Sequence, residues 1–209
     1  MTTPLPADAE TLFARLRDSL KDALGASCNG QAQEGPDALA GVDPTMPVGE
    51  SAAGSGSEAA QAGSADAPAF IGIHTGGAWL AARLHAELGL SSPLGFLSSA
   101  FYRDDVQARG LSMRMQPTRI DFDVNGRDIV LVDDILHTGR TIRAALNEIF
   151  DYGRPARVRL AVLIDRGGRE LPGQPDHVGT RLVLQPGEKL ALSQRTNGMF
   201  ELRVETVQA

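Results

Sequence analysis

Residues 129–141 decide the fold: Ile129-Val130-Leu131-Val132-Asp133-Asp134-Ile135-Leu136-His137-Thr138-Gly139-Arg140-Thr141. Together with Asp128, the apolar residues to Val132 predict a buried strand. Two carboxylates stand at its carboxyl end. A short loop then turns at Thr138-Gly139, and helical spacing follows over 141–150, with Gly153 as its stop. The backbone N–H groups of such a loop, together with the helix N-terminus behind it, make an anion site. Gly139 lets the backbone approach an anion with no Cβ in the way. The hydroxyls of Thr138 and Thr141 add donors. Asp133 and Asp134 suit the two hydroxyls of a ribose or a water-coordinated Mg²⁺. The stretch therefore describes a holder for a ribose 5-phosphate. It is neither a Gly-x4-Gly-Lys-Ser/Thr loop nor a Gly-x-Gly-x-x-Gly turn.

Outward from this unit, strands and helices alternate. Residues 69–73 predict a buried strand, 75–77 a tight turn and 78–88 a helix carrying Trp79, Leu80, Leu84 and Leu88. Residues 94–101 predict a strand, and 104–117 are polar and punctuated by Gly and Pro, which predicts a loop. An alternating strand over 119–124 leads to the Asn125-Gly126 turn. Residues 158–164 are the next apolar strand. The alternation argues for a parallel sheet covered on both faces, with ligands beyond the carboxyl ends of its strands. Strand-like segments at 181–184, 190–192 and 200–204 are expected to close the sheet edge or to form a hood. Near the start, Leu12, Phe13, Leu16, Leu20 and Leu24 recur at helical spacing, with Asp8 or Thr11 as cap and Gly25 as the end.

Composition bounds what the chain can be. It has 209 residues and a formal net charge of −6, with 42% hydrophobic and 5% aromatic residues. Residues 27–68 contain no Lys or Arg and six acids, so the other 167 residues are near neutral. That segment is rich in Ala, Gly and Ser and poor in large apolar residues. It is expected to be a disordered insertion, dividing the chain into a helix at 1–26, the insertion at 27–68 and the main domain at 69–209. A single cysteine, Cys28, excludes a disulfide framework or a multi-cysteine metal site and is assigned no catalytic role. His74 and His85 have no metal-ligand spacing. No run of ~18 apolar residues occurs and Met1 to Pro6 has no signal-peptide character, so a cytoplasmic protein without a membrane partner is expected.

The 129–141 string resembles the 5-phosphoribosyl 1-pyrophosphate signature of the type I phosphoribosyltransferases. Three further segments narrow the resemblance to the pyrimidine operon attenuator/uracil phosphoribosyltransferase family (PyrR). They are Phe101-Tyr102-Arg103-Asp104-Asp105, Gly153-Arg154-Pro155-Ala156-Arg157, and Asp165-Arg166-Gly167-Gly168-Arg169-Glu170-Leu171-Pro172. The resemblance implies the type I fold, a mainly parallel twisted sheet flanked by helices with a small hood, and a dimer or higher homo-oligomer. It implies Mg²⁺-dependent conversion of uracil and 5-phosphoribosyl 1-pyrophosphate to UMP and pyrophosphate. Asp133 and Asp134 would hold the ribose and residues Ile135, Leu136, His137, Thr138, Gly139, Arg140 and Thr141 the 5′-phosphate. Thr75, Gly76 and Gly77 would line the pyrophosphate site, Arg103 would meet pyrophosphate, and Arg166 with Asp165 would lie beside the base.

The chain departs from the family pattern at three positions. Gly76 stands where Arg is usual, His137 where Tyr is usual and Gly168 where His is usual. Two alternatives accompany the enzyme. One is a UMP-responsive protein binding pyrimidine-operon mRNA, for which Arg154, Arg157, Arg159, Arg166 and Arg169 are the basic candidates, without an aromatic platform. The other is a type I enzyme for another base.

Overall fold

The computed structural model describes residues 3–29, 67–98 and 116–206. Most of the 27–68 segment, the 104–115 part of the expected loop and Arg103 lie outside them. Five parallel strands form the central sheet: β1 (Ala69–Ile73), β2 (Leu94–Leu97), β3 (Asp128–Leu136), β4 (Arg157–Asp165) and β5 (His177–Arg181), in spatial order β2-β1-β3-β4-β5. Parallel strands must be covered on both faces, and their apolar runs are. On one face α1 (Ala9–Asn29) and α2 (Gly76–Glu87) bury Leu12, Phe13, Leu16, Leu80 and Leu84 against Phe70, Val130, Val132 and Leu163. On the other, α3 (Arg140–Tyr152) buries Ile142, Ala145 and Ile149 against Ile71, Ile129, Leu131 and Val162. A separate antiparallel pair, β6 (Glu188–Gln194) and β7 (Phe200–Thr206), forms the hood.

Several boundaries differ from the sequence expectation. Helix α1 runs through Gly25 to Asn29, because a glycine in a helix costs only about 1 kcal/mol and does not by itself stop one. Its start is fixed by Asp8, whose Oδ1 accepts from the Thr11 N–H at 3.0 Å. Residues 75–77 are not a free turn: Thr75 is the N-cap of α2, and Gly76 and Gly77 are its first two residues. Strand β2 stops at Leu97. Residues 119–124 make one antiparallel bridge, Phe96 to Arg119, and no strand. Their alternation still buries Ile120 and Val124, but against the sheet's face rather than along an edge. At the other end the edge strand spans 177–181, before the segment expected from the sequence.

One guanidinium contacts both the hood and the helices. Arg83 of α2 lies over the Phe13 and Phe200 rings, 4.4 and 5.1 Å from their centroids. It also pairs with Glu10 at 2.7 Å and Glu87 at 2.8 Å. Glu10 in turn accepts from the Phe200 backbone N–H at 2.6 Å. Arg83→Met is expected to lower stability by about 2 kcal/mol, from two ring contacts and two partly buried pairs. A melting temperature lower by roughly 4–8 °C in calorimetry would report it.

His177 gives the fold a pH dependence. Its Nδ1 lies 3.0 Å from Ser19 Oγ of α1. Burial foremost, then nearby Arg159, holds the imidazole below its ordinary 6.5, with Asp176 opposing. The unfolded chain therefore binds a proton near pH 6.5 that the folded chain refuses. The neutral imidazole's contribution is complete above that pH and is lost as pH falls. The melting temperature is expected to drop from about pH 7 to about pH 5, and the drop to shrink in His177→Gln.

Candidate active site

The chain leaves β1 toward β2 on one side and continues from β3 to β4 and β5 on the other, so the order reverses between β1 and β3. In a doubly wound sheet the ligand crevice lies at that switch, beyond the carboxyl ends. There β1 runs into His74 and Thr75, joined by a cis peptide, and into the N-terminus of α2. Beside it β3 runs into the N-terminus of α3, capped by Gly139 at φ +89°. Two helix N-termini thus flank one pair of carboxylates, and each favours an anion.

The carboxylates do not stand in a loop. β3 continues in register with β4 through Leu136, opposite Asp165. Asp133 and Asp134 are successive strand residues, so their side chains leave on opposite faces. Asp133 shares the face of Ile129 and Leu131, under α3, and is 3% exposed. Asp134 shares the face of Val130 and Val132, under α2, and is half-buried. Asp133 Oδ1 accepts from the Asp134 N–H at 3.0 Å, and Asp134 Oδ1 accepts from the Ile135 N–H at 3.0 Å. The acidic pair thus places its two carboxylates on different sides of the sheet.

The 135–141 loop is held from behind by the segment after β4. The Arg166 N–H donates to Leu136 O at 3.0 Å, and the Glu170 and Leu171 N–H groups donate to Thr138 O at 3.0 and 2.9 Å. Arg140 pairs with Glu170 at 2.6 Å. Arg169 donates to His137 O at 2.6 Å and pairs with Asp165 at 2.6 Å. The left-handed Gly139 fits here because Leu171 O would lie 3.3 Å from any Cβ at that position. Thr138 is buried, and its Oγ1 accepts from the Arg140 N–H at 3.3 Å. Thr141, the second residue of α3, is half-buried.

Sequence reasoning found the loop but missed the strap. Arg169 and Glu170 belong to the stretch that carries the family resemblance, and Arg169 is a basic candidate for RNA; neither reading places them behind the loop. The opposite charges of Asp165 and Arg169, four residues apart, were the available signal. Asp165, expected beside the base, is engaged by Arg169 and stands 3.8 Å from Arg181. Two family departures meet: a Cβ on Gly168 would lie 2.9 Å from His137 Nε2, so the imidazole fills the space a side chain at 168 would take. On the α2 side, His74 and Thr75 border a cavity of about 710 Å³, together with Trp79, Phe96, Asn197 and Met199. Burial holds the His74 imidazole below its ordinary value.

This geometry, a switch-point crevice with two helix N-termini and an acidic strand end, is that of a phosphoribosyltransferase. Residues 56–182 match the family model described as "Phosphoribosyl transferase domain". The chain is 57% identical over 128 residues to the "Bifunctional protein PyrR" of Nitrosococcus oceani, covering 60% of this chain and 72% of that protein. It is 54% identical over 125 residues to the protein of the same name from Pseudomonas aeruginosa, covering 60% and 74%. The chain belongs to this PyrR family of phosphoribosyltransferases, as its sequence signature implies. Among solved structures it resembles the hypoxanthine phosphoribosyltransferase of Trypanosoma cruzi, with a TM-score of 0.53 at 16% identity over 86% of this chain and 81% of that one. It also resembles a hypoxanthine-guanine phosphoribosyltransferase of Bacillus anthracis, with a TM-score of 0.54 at 16% identity over 91% and 88%. At that identity the likeness is one of fold.

Proposed function

We infer that the chain is a uracil phosphoribosyltransferase that also regulates pyrimidine genes in response to uridine nucleotides. The observation that carries the enzymatic reading is that the N-termini of α2, against Asp134, and of α3, just beyond β3, open at the same end of the sheet. A substrate with a phosphate at each end of a ribose needs two anion sites separated by hydroxyl acceptors, and the two helix N-termini with the acidic strand end support that reading. The N–H groups of 137–141 and the Thr138 and Thr141 hydroxyls take the 5′-phosphate. Asp133 takes a ribose hydroxyl. The α2 N-terminus and Asp134 face the pyrophosphate. Arg166, at the end of β4, lies on the base side.

In the reaction the bond from uracil N1 to C1′ forms as the C1′–O bond to pyrophosphate breaks, and the N1 proton is released with the pyrophosphate. The chain's work is to align the two and to stabilise the departing charge. The donor set fits a hydrated Mg²⁺. Among the described residues no three His, Cys, Asp or Glu side chains converge, whereas one or two carboxylates plus substrate phosphates suffice for this ion. Asp134 would hold it through water, and when bound it neutralises pyrophosphate charge. The test is UMP formation from uracil and 5-phosphoribosyl 1-pyrophosphate, with hypoxanthine and orotate in parallel. Uracil-specific turnover is expected, and turnover of another base instead would replace the substrate.

The word "bifunctional" in the relatives' names supports the regulatory half. Its partner would be pyrimidine-operon mRNA. Of the basic candidates, Arg157 is paired with Asp128, Arg169 with Asp165, and Arg159 is mostly buried. An RNA face would be built around Arg154, which is exposed. Filter binding with and without UMP tests it, and no retention of leader RNA at moderate salt would remove it. No helix of the described residues is long and apolar enough to cross a membrane. A cytoplasmic homo-oligomer, a dimer or larger, accords with this reading, and sedimentation tests the assembly.

A further inference from the structure

The first turn of α2 presses on the acidic end of β3 more closely than any side chain allows. A Cβ on Gly76 would lie 2.6 Å from Asp134 Cγ and 2.8 Å from Asp134 Cβ, with Oδ2 nearer still. Side chains do not tolerate separations below about 3 Å in close-packed interiors. Residue 76 and the Asp134 carboxylate therefore compete for one volume. Gly77 makes a different contact: its Cβ would strike the Val132 carbonyl and come within 2.9 Å of Asp133 Cα, which are backbone atoms. Gly77 serves helix–sheet packing, whereas Gly76 faces a functional side chain.

We propose that Gly76 is a positioning residue for Asp134: its missing side chain holds the Asp134 carboxylate against the first turn of α2, on the pyrophosphate side of β3. The proposal rests on the phosphoribosyltransferase reading above. The carboxylate then sits at the positive end of the helix, where an anion is favoured. The adjacent Ile135 N–H donates to Asp134 Oδ1 at 3.0 Å, and Oδ2 is directed at Gly76. In this chain any side chain at residue 76 would take the volume that the carboxylate occupies.

The test is a double-mutant cycle of Gly76→Ala and Asp134→Asn, reading the Kd for 5-phosphoribosyl 1-pyrophosphate with Mg²⁺, the KM for uracil and the Tm. Gly76→Ala is expected to weaken 5-phosphoribosyl 1-pyrophosphate binding about tenfold or more while the uracil KM stays within about twofold. The double variant is expected to bind no more weakly than Asp134→Asn alone, because both changes remove the same placed carboxylate. Multiplying losses, or a uracil KM that rises in step, would overturn the proposal. If Gly76→Ala melts too low to assay, adding Asp134→Gly, which deletes the struck Oδ2, Cγ and Cβ together, must raise the Tm; no recovery overturns it equally. A parent chain that binds no 5-phosphoribosyl 1-pyrophosphate would sink the function and the proposal together, whereas additive variants of a binding-competent chain sink only the positioning role.

Discussion

Asp133→Asn and Asp134→Asn are each expected to reduce UMP formation about 100-fold, the loss of one charged hydrogen bond made in the transition state. They should do so differently. The two carboxylates leave β3 on opposite faces, Asp133 under α3 and Asp134 under α2. UMP carries the ribose and the 5′-phosphate but no pyrophosphate. Asp133→Asn is therefore expected to weaken UMP and 5-phosphoribosyl 1-pyrophosphate alike. Asp134→Asn should weaken 5-phosphoribosyl 1-pyrophosphate while leaving the UMP Kd within about threefold, since a lost interaction is felt only by the ligand that makes it. Calorimetric titration of both ligands into both variants reads the difference. An Asp134→Asn protein that loses UMP and 5-phosphoribosyl 1-pyrophosphate equally would show that the faces have been assigned wrongly. Both variants should melt near the parent, because Asn retains an oxygen at the position where Asp133 accepts from the Asp134 N–H.

That separation of the two side chains was not available from the sequence, and the reason is local. Two adjacent aspartates after four apolar residues look like the end of a strand, since carboxylates are poor strand formers. Pairing with β4 carries the strand on to Leu136 regardless, and that continuation separates the two side chains. The core itself was readable, because Leu12, Leu16 and Leu20 recur on one helical face and residues 129–132 form an unbroken apolar run. Strand β5 was not: His177-Val178-Gly179-Thr180-Arg181 has one apolar side chain of any size, and it pairs with β4 alone in the sheet. Nor does its glycine signal a turn, for a Cβ on Gly179 would lie 2.8 Å from Leu12 O of α1. The turn between β3 and α3 could be located from Thr138 and Gly139, which punctuate the sequence themselves. Its support could not, because Arg169 and Glu170 act across a tertiary contact that spacing along the chain does not reveal.

That support yields the largest expected effect on stability. Arg169→Ala is expected to cost about 3 kcal/mol, by removing a mostly buried ion pair and leaving acceptors unmet. The guanidinium donates to His137 O at 2.6 Å, to Gly173 O at 3.1 Å and to Asp165 Oδ1 at 2.6 Å. Asp165 is 11% exposed at its side chain, and its remaining cation, Arg181, stands 3.8 Å away and is itself 69% exposed. Removing Arg169 leaves that carboxylate poorly matched and frees the carbonyl of the residue before Thr138. The Tm should fall by roughly 6–12 °C. UMP should bind more weakly as well, because the 5′-phosphate loop loses a tether at His137. Arg169→Lys is the sharper variant. An ammonium keeps the charge but cannot present the planar fork that spans a carboxylate and a carbonyl together. It is expected to recover part of the Tm through Asp165 and little of the UMP affinity. If Arg169→Ala melts and binds UMP like the parent, the Arg166, Glu170 and Leu171 backbone hydrogen bonds hold the loop unaided, and the guanidinium is not the strap's anchor.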